Sequence, residues 1–285
     1  MGLPKALSWL DAPRSFAQLD GDSPIVISTL RRECLAEAFA TFVLVGFGAG
    51  SVIQSTISAG ALGNYTHVTL TWGIAVMLGI NVAGGRSRGH LNPAFTIVYC
   101  LYHSTEMSWR AAICYCGSQL VGAFLGFAAV YSMYYRALQA YDPHQSLETS
   151  GHLFASYPAA TETLASAFFG EVVCSAFFMA GAFALGDASN PYRSTPLLPV
   201  LTGTLVVGVG MAFGLTTGYA VNPAVDFGGR LFSSLAGWGI DVFCACDNYW
   251  WVPILAPLVG GWLGAGSYLF CSGSPSPAVL PDPTS

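Results

Sequence analysis

The sequence predicts an all-α membrane protein with six transmembrane helices, two half-helices and an inverted repeat. Three observations lead to this prediction. Only 9% of the 285 residues are charged and 53% are hydrophobic, whereas a soluble domain carries about 25% charged residues. Six apolar stretches approach the roughly 20 residues that a helix needs to cross a bilayer. Two shorter apolar stretches each have Asn-Pro-Ala near their start.

The six long stretches occupy residues 35–52, 67–84, 109–131, 164–185, 197–215 and 251–270, and the short ones occupy 91–102 and 221–235. Short apolar segments interrupted by Gly or Pro, at matching positions of a membrane protein, indicate half-helices at a binding or conduction site. We therefore expect a channel domain over 31–271, with repeat one at about 31–135 and repeat two at about 160–271. Residues 133–163 are expected to include a long outer loop.

The ends of the chain and its basic residues predict the orientation. Residues 1–30 are expected to form a cytoplasmic segment, and the Ser/Pro-rich residues 272–285 a disordered cytoplasmic tail. With the amino terminus inside, only Arg136 and Arg230 fall outside, which fits the positive-inside rule for a protein of the cell membrane. The remaining basic residues, all cytoplasmic, are Lys5, Arg14, Arg31, Arg32, Arg86, Arg88, Arg110 and Arg193. Asn64 begins the N-x-[ST] sequon of the first outer loop and is a candidate glycan site, although many such triplets stay unmodified.

The two halves of the chain repeat one pattern. Each half has a glutamate in its first span, Glu37 or Glu171, and an Asn-Pro-Ala triplet after its second span. Because each half has three spans, the second half must insert upside down relative to the first. This is an inverted repeat.

The two triplets predict half-helices that meet at the membrane midplane. Asn is a preferred N-cap and Pro is favoured at the first helical position, so a helix is expected to begin in each of the sets Asn92, Pro93, Ala94 and Asn222, Pro223, Ala224. Their positive dipole ends would then face the centre of a pore. We expect the asparagine amides to donate hydrogen bonds to a passing solute, and the dipoles to repel cations and protons.

Glu37 and Glu171 are carboxylates within apolar spans, where a charged group is costly and therefore functional or part of a network. We expect each to accept hydrogen bonds from backbone N–H groups of the loop that leads to a half-helix. A proton relay is the alternative role.

Other classes of function find little support. A net charge of −5 without a long basic run argues against nucleic-acid binding. The eight cysteines show no zinc spacing, so free, buried thiols are expected, with a disulfide near Cys244 as the alternative. We find no catalytic triad order, phosphate loop or metal cluster, and predict neither an enzyme nor a cofactor. His90, beside the first triplet, is expected to bond neighbouring backbone rather than act as a base.

These motifs resemble those of the aquaporin (major intrinsic protein) family, and in particular its glycerol-conducting branch, the aquaglyceroporins. The resemblance covers about residues 30–270. It rests on the sequence GHLNPA at 89–94, TGYAVNPA at 217–224, and the run from Leu231 that includes AGWG at 236–239 and WWVP at 250–253. It implies a homotetramer in membrane lipid, with one passive pore in each subunit.

The resemblance also implies an outer selectivity filter of four residues. The matching positions here are Trp72, Gly210, Tyr219 and Val225. Strict water channels have His where Gly210 stands. Asp226 matches the glycerol-conducting branch, and its alternative role is that of an ordinary carboxylate in the first turn of a helix.

Two positions depart from the family pattern. The family has Arg where Val225 stands, and an arginine there would present N–H donors and a positive charge. Its absence predicts a wider filter that binds polyols less by hydrogen bonds, and cation exclusion that depends more on the half-helix dipoles. Arg88 stands where the family has Gly. It could place a charge at the cytoplasmic mouth, and the alternative is a solvated loop arginine.

The sequence thus predicts a passive channel for water, glycerol and other small uncharged solutes such as urea, with neutral weak acids or metalloids also plausible. Three alternatives stay open at this point. A coupled secondary transporter would share the inverted repeat and the intramembrane glutamates. A non-conducting structural member would follow if Val225 and Arg88 spoil the pore. A strict water channel is disfavoured by Gly210 and Asp226.

Overall fold

The computed structural model describes residues 29–273, which are helical apart from their connecting loops. The predicted amino-terminal segment, except its last two residues, and the predicted tail beyond residue 273 lie outside the described part. The helices of the described part are α1 Thr29–Ile57, α2 Tyr65–Ala83, α3 Pro93–Tyr102, α4 Trp109–Tyr141, α5 Leu164–Gly186, α6 Leu198–Thr217, α7 Pro223–Ser233, α8 Asp241–Asn248 and α9 Val252–Ser272.

Six helical segments of the described chain are long and apolar enough to cross a membrane. They are α1, α2, α4, α5, α6 and the segment formed by α8 and α9, so the six predicted spans are confirmed. Helix α4 continues ten residues beyond its predicted end, because no Gly or Pro interrupts the chain before Pro143. The outer loop is therefore shorter than predicted and begins at Asp142.

The two short apolar stretches form half-length helices. Helices α3 and α7 have 10 and 11 residues, which corresponds to about 15 Å, or half the thickness of a bilayer core. Helix α7 ends earlier than predicted, because the chain passes into a π-helical turn at Ser234–Trp238 with Gly237 at a φ of 131°. Both half-helices begin at the predicted proline.

The packing of the helices repeats between the two halves. Helix α1 packs on α2 and α4, α5 packs on α6 and α9, and α2 against α6 joins the halves. Glycines permit the closest approaches: a Cβ atom on Gly122 of α4 would overlap the Ala38 carbonyl, and one on Gly260 of α9 would overlap the Val172 carbonyl. At the α2–α6 crossing, a Cβ on Gly73 or Gly203 would lie 2.5 Å from the other's carbonyl oxygen.

Most arginines of the described chain lie at one face of the helix bundle. The helix directions place Arg31, Arg32, Arg86, Arg88, Arg110 and Arg193 at that face and Arg136 at the opposite one. Arg230, which we expected on the outer side, lies in the last turn of α7 and has no exposed surface.

Candidate conduction pathway

One cavity of about 660 Å³ is lined by residues from both faces of the bundle. We call the end lined by His152 to Tyr157 the Tyr157 mouth, and the end lined by Arg88 and Arg193 the Arg88 mouth. Between them the cavity is lined by both triplet asparagines and by three of the four predicted filter residues, Trp72, Tyr219 and Val225. The lining is mostly apolar and aromatic, with a few polar groups at fixed positions.

The two half-helices are joined at their amino-terminal ends by reciprocal hydrogen bonds. Asn92 Nδ2 donates to the Val221 carbonyl at 3.0 Å, and Asn222 Nδ2 donates to the Leu91 carbonyl at 2.9 Å. Each asparagine oxygen caps its own helix by accepting from the backbone N–H of Ala94 or Ala224. Since an amide nitrogen carries two hydrogens, each Asn keeps a second N–H at the cavity wall.

The backbone just before each asparagine is in a conformation that non-glycine residues rarely adopt. Leu91 has a φ of 55°, Val221 a φ of 38° and Tyr219 a φ of 47°. Such residues cost free energy and persist only where the surrounding structure holds them. The two loops therefore need external support.

The buried glutamates provide that support. Glu37 accepts hydrogen bonds from the backbone N–H groups of His90 and Leu91, at 3.0 and 2.9 Å. Glu171 accepts from the N–H groups of Ala220 and Val221, at 2.8 and 3.1 Å. These are the hydrogen bonds expected from the sequence. Neither glutamate lines the cavity, so the structure gives a proton relay through them no support.

His90 bonds a side chain rather than the neighbouring backbone that we expected. Its Nδ1 lies 3.2 Å from Thr96 Oγ1, which in turn accepts from Gln119 Nε2 at 3.0 Å. Gln119 Nε2 also donates to Glu37 at 2.9 Å. Thr96 lies near the start of α3, four residues after Asn92, which brings its hydroxyl to the His90 ring. His90 is 8% exposed and lines the cavity.

The rings of Trp72 and Tyr219 lie against glycines, where the lack of a side chain leaves room for them. The Trp72 ring occupies the space that a Cβ on Gly48 would take, and the Tyr219 ring lies against Gly210, where a Cβ would come within 2.7 Å of Cζ. Gly210 itself does not line the cavity. The space that a side chain at position 210 would take is filled by the Tyr219 ring. Val225 is half-buried and lines the cavity with both aromatic side chains.

Asp226 is more than a first-turn carboxylate. It forms a buried ion pair with Arg230, whose Nε lies 2.7 Å from Asp226 Oδ1, and it accepts from the Ser156 N–H at 2.8 Å. The Arg230 guanidinium also donates to the carbonyls of Val242 and Ser156 and lies over the Tyr157 ring. This network attaches the Tyr157 mouth to α7.

Arg88 lies in an exposed loop, lines the cavity and forms an ion pair. Its Nη1 donates to Tyr99 Oη at 2.8 Å and to Glu106 Oε2 at 3.1 Å, and its Nη2 donates to the Glu106 carbonyl at 2.7 Å. The Tyr99 hydroxyl also donates to Glu106 Oε2 at 2.5 Å. This hydrogen bond, together with Arg88, holds the pKa of Glu106 below its usual value. The carboxylate is therefore ionised at neutral pH, and the ion pair persists.

Two further predictions concern groups away from the cavity. Asn64 is exposed and its Oδ1 caps α2 by accepting from the His67 N–H at 3.0 Å. The eight cysteines, all within the described residues, are free. The expectation of buried thiols was wrong for Cys244, Cys246 and Cys271, which are exposed.

Several lining residues were missed by sequence reasoning. The loop after α4 folds inward, so that Phe154 is 1% exposed and packs on Trp238 while Tyr157 lines the mouth. Two aromatic residues close together in a loop, Phe154 and Tyr157, were the available signal. Phe95 and Tyr99 also line the cavity, and their spacing from the first triplet along α3 could have indicated it. Arg193, in the loop between α5 and α6, lines the cavity as well.

Six spanning segments around a cavity, with two half-helices joined inside it, define a membrane channel. The sequence matches the profile described as "Major intrinsic protein" over residues 25–268. The chain belongs to this family. It is a passive transmembrane channel of the aquaglyceroporin type and not an enzyme.

Individual relatives support this membership. The chain is 38% identical to human aquaporin-9 over 249 residues, which is 86% of this chain and 84% of that protein. It is 38% identical to the probable aquaglyceroporin-2 of Gibberella zeae, covering 89% of this chain and 77% of the relative. Among solved structures, the aquaglyceroporin from Plasmodium falciparum matches with a TM-score of 0.77 at 29% identity, covering 86% of this chain and 98% of that one.

Proposed function

We propose that this channel passes a wider range of uncharged solutes than a filter with arginine would allow, including urea and the neutral forms of weak acids or metalloids. Water and glycerol are its main solutes, since the chain belongs to the major intrinsic protein family and its relatives include aquaglyceroporins. The observation that carries the proposal is that Val225 lines the cavity beside Trp72 and Tyr219. At this level the wall offers apolar and aromatic surface and no guanidinium.

The residues at the level of the predicted filter favour contact with the carbon atoms of a solute over contact with charged groups. Trp72 and Tyr219 present large apolar faces, which suit the carbon backbone of a polyol. Val225 adds neither N–H donors nor charge, and it is shorter than arginine. Solutes are then selected here by size and shape, and a bulkier neutral molecule meets less obstruction.

Exclusion of ions then depends on the electrostatic potential at the midplane. The amino-terminal ends of α3 and α7 meet there, each with a partial positive charge of about half an elementary charge. The second N–H of Asn92 and of Asn222 can donate to water or to a hydroxyl group. A neutral solute gains these hydrogen bonds, whereas a cation meets a positive potential.

Stopped-flow light scattering of proteoliposomes tests the proposal. Vesicles with the wild-type chain are exposed to gradients of sucrose, glycerol and urea, in parallel with vesicles of Val225→Arg and Val225→Met. We expect Val225→Arg to lower urea and glycerol permeability several-fold relative to water. Val225→Met, which lengthens the side chain without charge or donors, separates the effect of size from that of the guanidinium.

The outcomes discriminate between readings of the chain. If Val225→Arg leaves the flux of every solute unchanged, Val225 does not form a filter. Wild-type vesicles that shrink no faster than empty ones would indicate a non-conducting member. Flux that saturates and follows a proton gradient would indicate a coupled transporter, and water flux without glycerol flux a strict water channel.

We also propose that the chain lies in the cell membrane with both termini cytoplasmic. The arginine-rich face of the bundle supports this orientation through the positive-inside rule, and it places Asn64 on the outer side, where a glycan could attach. A mobility shift on glycosidase treatment that is lost in Asn64→Gln tests both points. We further propose a homotetramer in lipid, in line with the family. Cross-linking in native-like membranes tests that assembly.

A further inference from the structure

The inverted repeat makes the two mouths of the cavity comparable position by position. Val225 and Phe95 each stand three residues after the asparagine of their triplet, and both line the cavity. Trp72 and Thr202 each precede one of the two glycines that meet at the α2–α6 crossing, and both line the cavity as well. The Arg88 mouth is thus the counterpart of the predicted filter.

The guanidinium that is missing at one mouth is present at the other. Arg88 lines the cavity, and its three hydrogen bonds to Tyr99 and Glu106 hold the guanidinium in one position. A free loop arginine would lose side-chain entropy on binding a solute. Arg88 has already lost it in forming these contacts, so its remaining donors are preorganised.

Some of its donors remain available to a solute. A guanidinium has five N–H groups, and the contacts to Tyr99 and Glu106 use both hydrogens of Nη1 and one of Nη2. Within residues 29–273, no acceptor binds the Nε hydrogen or the second Nη2 hydrogen. The Arg88 side chain is 38% exposed and lines the cavity, and we infer that these two donors face the mouth.

The surroundings complete a site for a hydroxylated carbon chain. The rings of Phe95 and Tyr99 line the cavity beside Arg88 and stack with centroids 6.0 Å apart, which gives an apolar wall next to the two donors. Glu106 offsets the charge of Arg88, so the contacts that the guanidinium offers to an uncharged solute are hydrogen bonds.

We propose that Arg88 forms a second, polyol-binding selectivity site at the Arg88 mouth, in place of the arginine that the predicted filter lacks. Its ligand class is a small polyol such as glycerol, bound through hydroxyl groups to the guanidinium and through its carbon chain to Phe95 and Tyr99. The proposal rests on the proposed function, because it requires that polyols pass through the cavity.

The test compares glycerol with water in the same proteoliposomes. Arg88→Met keeps the length of the side chain and removes every donor, and we expect the glycerol-to-water permeability ratio to fall about fivefold, as the loss of one hydrogen bond predicts. Arg88→Lys keeps the charge but not the planar donor pair, and should lower the ratio to a smaller extent. Arg110→Met is the matched control: this exposed arginine lies on the same face outside the cavity lining, and its ratio should equal the wild-type ratio.

The results distinguish polyol binding by Arg88 from a purely structural role. They also distinguish failure of this proposal from failure of the proposed function. An unchanged ratio in Arg88→Met overturns the proposal, as does an equal fall of water and glycerol permeability, which would show that Arg88 only holds its loop against Glu106. If both Arg88 variants fail to fold, the role is structural and the proposal falls. Absence of glycerol flux in the wild type would overturn the proposed function itself.

Discussion

In each half of the chain a buried glutamate holds the loop before the half-helix, but the rest of the half-helix is supported differently in the two halves. In the first half, Glu37 accepts from two backbone N–H groups and also from Ser87 Oγ and Gln119 Nε2. In the second half, Glu171 accepts from two backbone N–H groups and from Thr217 Oγ1. The second half instead has a buried ion pair inside α7, Asp226–Arg230, which α3 lacks.

The difference follows from what each half-helix must hold. Thr96 and Cys100 occupy the α3 positions that match Asp226 and Arg230, and both are fully buried. The loop that joins α4 to α5 folds into the cavity and contacts the second half-helix, through Ser156 and through the Phe154 ring, which packs on Phe232. The two half-helices are therefore held in the same way at the midplane, whereas the loops at the two mouths are attached by different contacts.

Removing the buried cation should have the largest effect. Arg230→Met leaves Asp226 charged and unpaired in the interior, which costs about 3–5 kcal/mol, and it frees the loop at the Tyr157 mouth. Cys100→Ala at the matching α3 position should cost far less. The apparent melting temperature of the purified protein in detergent, followed by tryptophan fluorescence, measures both. Equal shifts for the two variants would contradict the unequal anchoring.

Neutralising the glutamates should rank next. In Glu171→Gln one oxygen becomes an N–H₂ group that faces backbone donors, so a buried N–H loses its acceptor at about 1–3 kcal/mol. Glu37→Gln should cost a similar amount, because either replaced oxygen leaves the N–H of His90 or Leu91 without its acceptor. Melting temperature and water permeability are measured together. Strongly different losses for the two variants would contradict the equivalence of the two glutamates.

The glycine contacts should respond alike in both halves. Gly122→Ala and Gly260→Ala each force a methyl group against a carbonyl of the packed helix, and overpacking of this kind costs about 1–3 kcal/mol. Gly46→Ala, where a Cβ meets nothing within 4 Å, is the matched control and should be neutral or slightly stabilising. Melting temperatures that differ strongly between the first two variants would show that the repeat is less regular than the contacts indicate.

The smallest effect is expected at the Arg88 mouth. Tyr99→Phe keeps the ring and removes the hydroxyl that binds Arg88 and Glu106, at a cost of about 0.5–1.5 kcal/mol or less for this half-exposed group. The melting temperature should hardly change, while the glycerol-to-water ratio falls by less than it does in Arg88→Met. A shift in stability without a shift in ratio would place Tyr99 in the fold rather than in solute selection.

Much of this architecture could be predicted from the sequence. The six spans follow from apolar length, the half-helices from the asparagine caps and the prolines, and the glutamate hydrogen bonds from the cost of a charge among apolar residues. Arg230 was placed on the outer side by the positive-inside count, but composition and spacing do not indicate that it is fully buried. Its ion pair with Asp226, two backbone carbonyls and the Tyr157 ring account for that burial.

The sequence by itself determined the membrane class, the inverted repeat and the identity of the residues at the midplane, since these depend on local composition and on spacing along the chain. Tertiary structure alone decided that Tyr219 fills the space beside Gly210, that residues 152–157 line one mouth, and that Tyr99 and Glu106 fix Arg88 at the other. These contacts join segments that are distant in the chain or lie in loops, where periodicity carries no signal. The low charge count thus indicated that the protein folds in a membrane. The positions of two arginines, Arg230 and Arg88, are decided by contacts that only the folded structure shows.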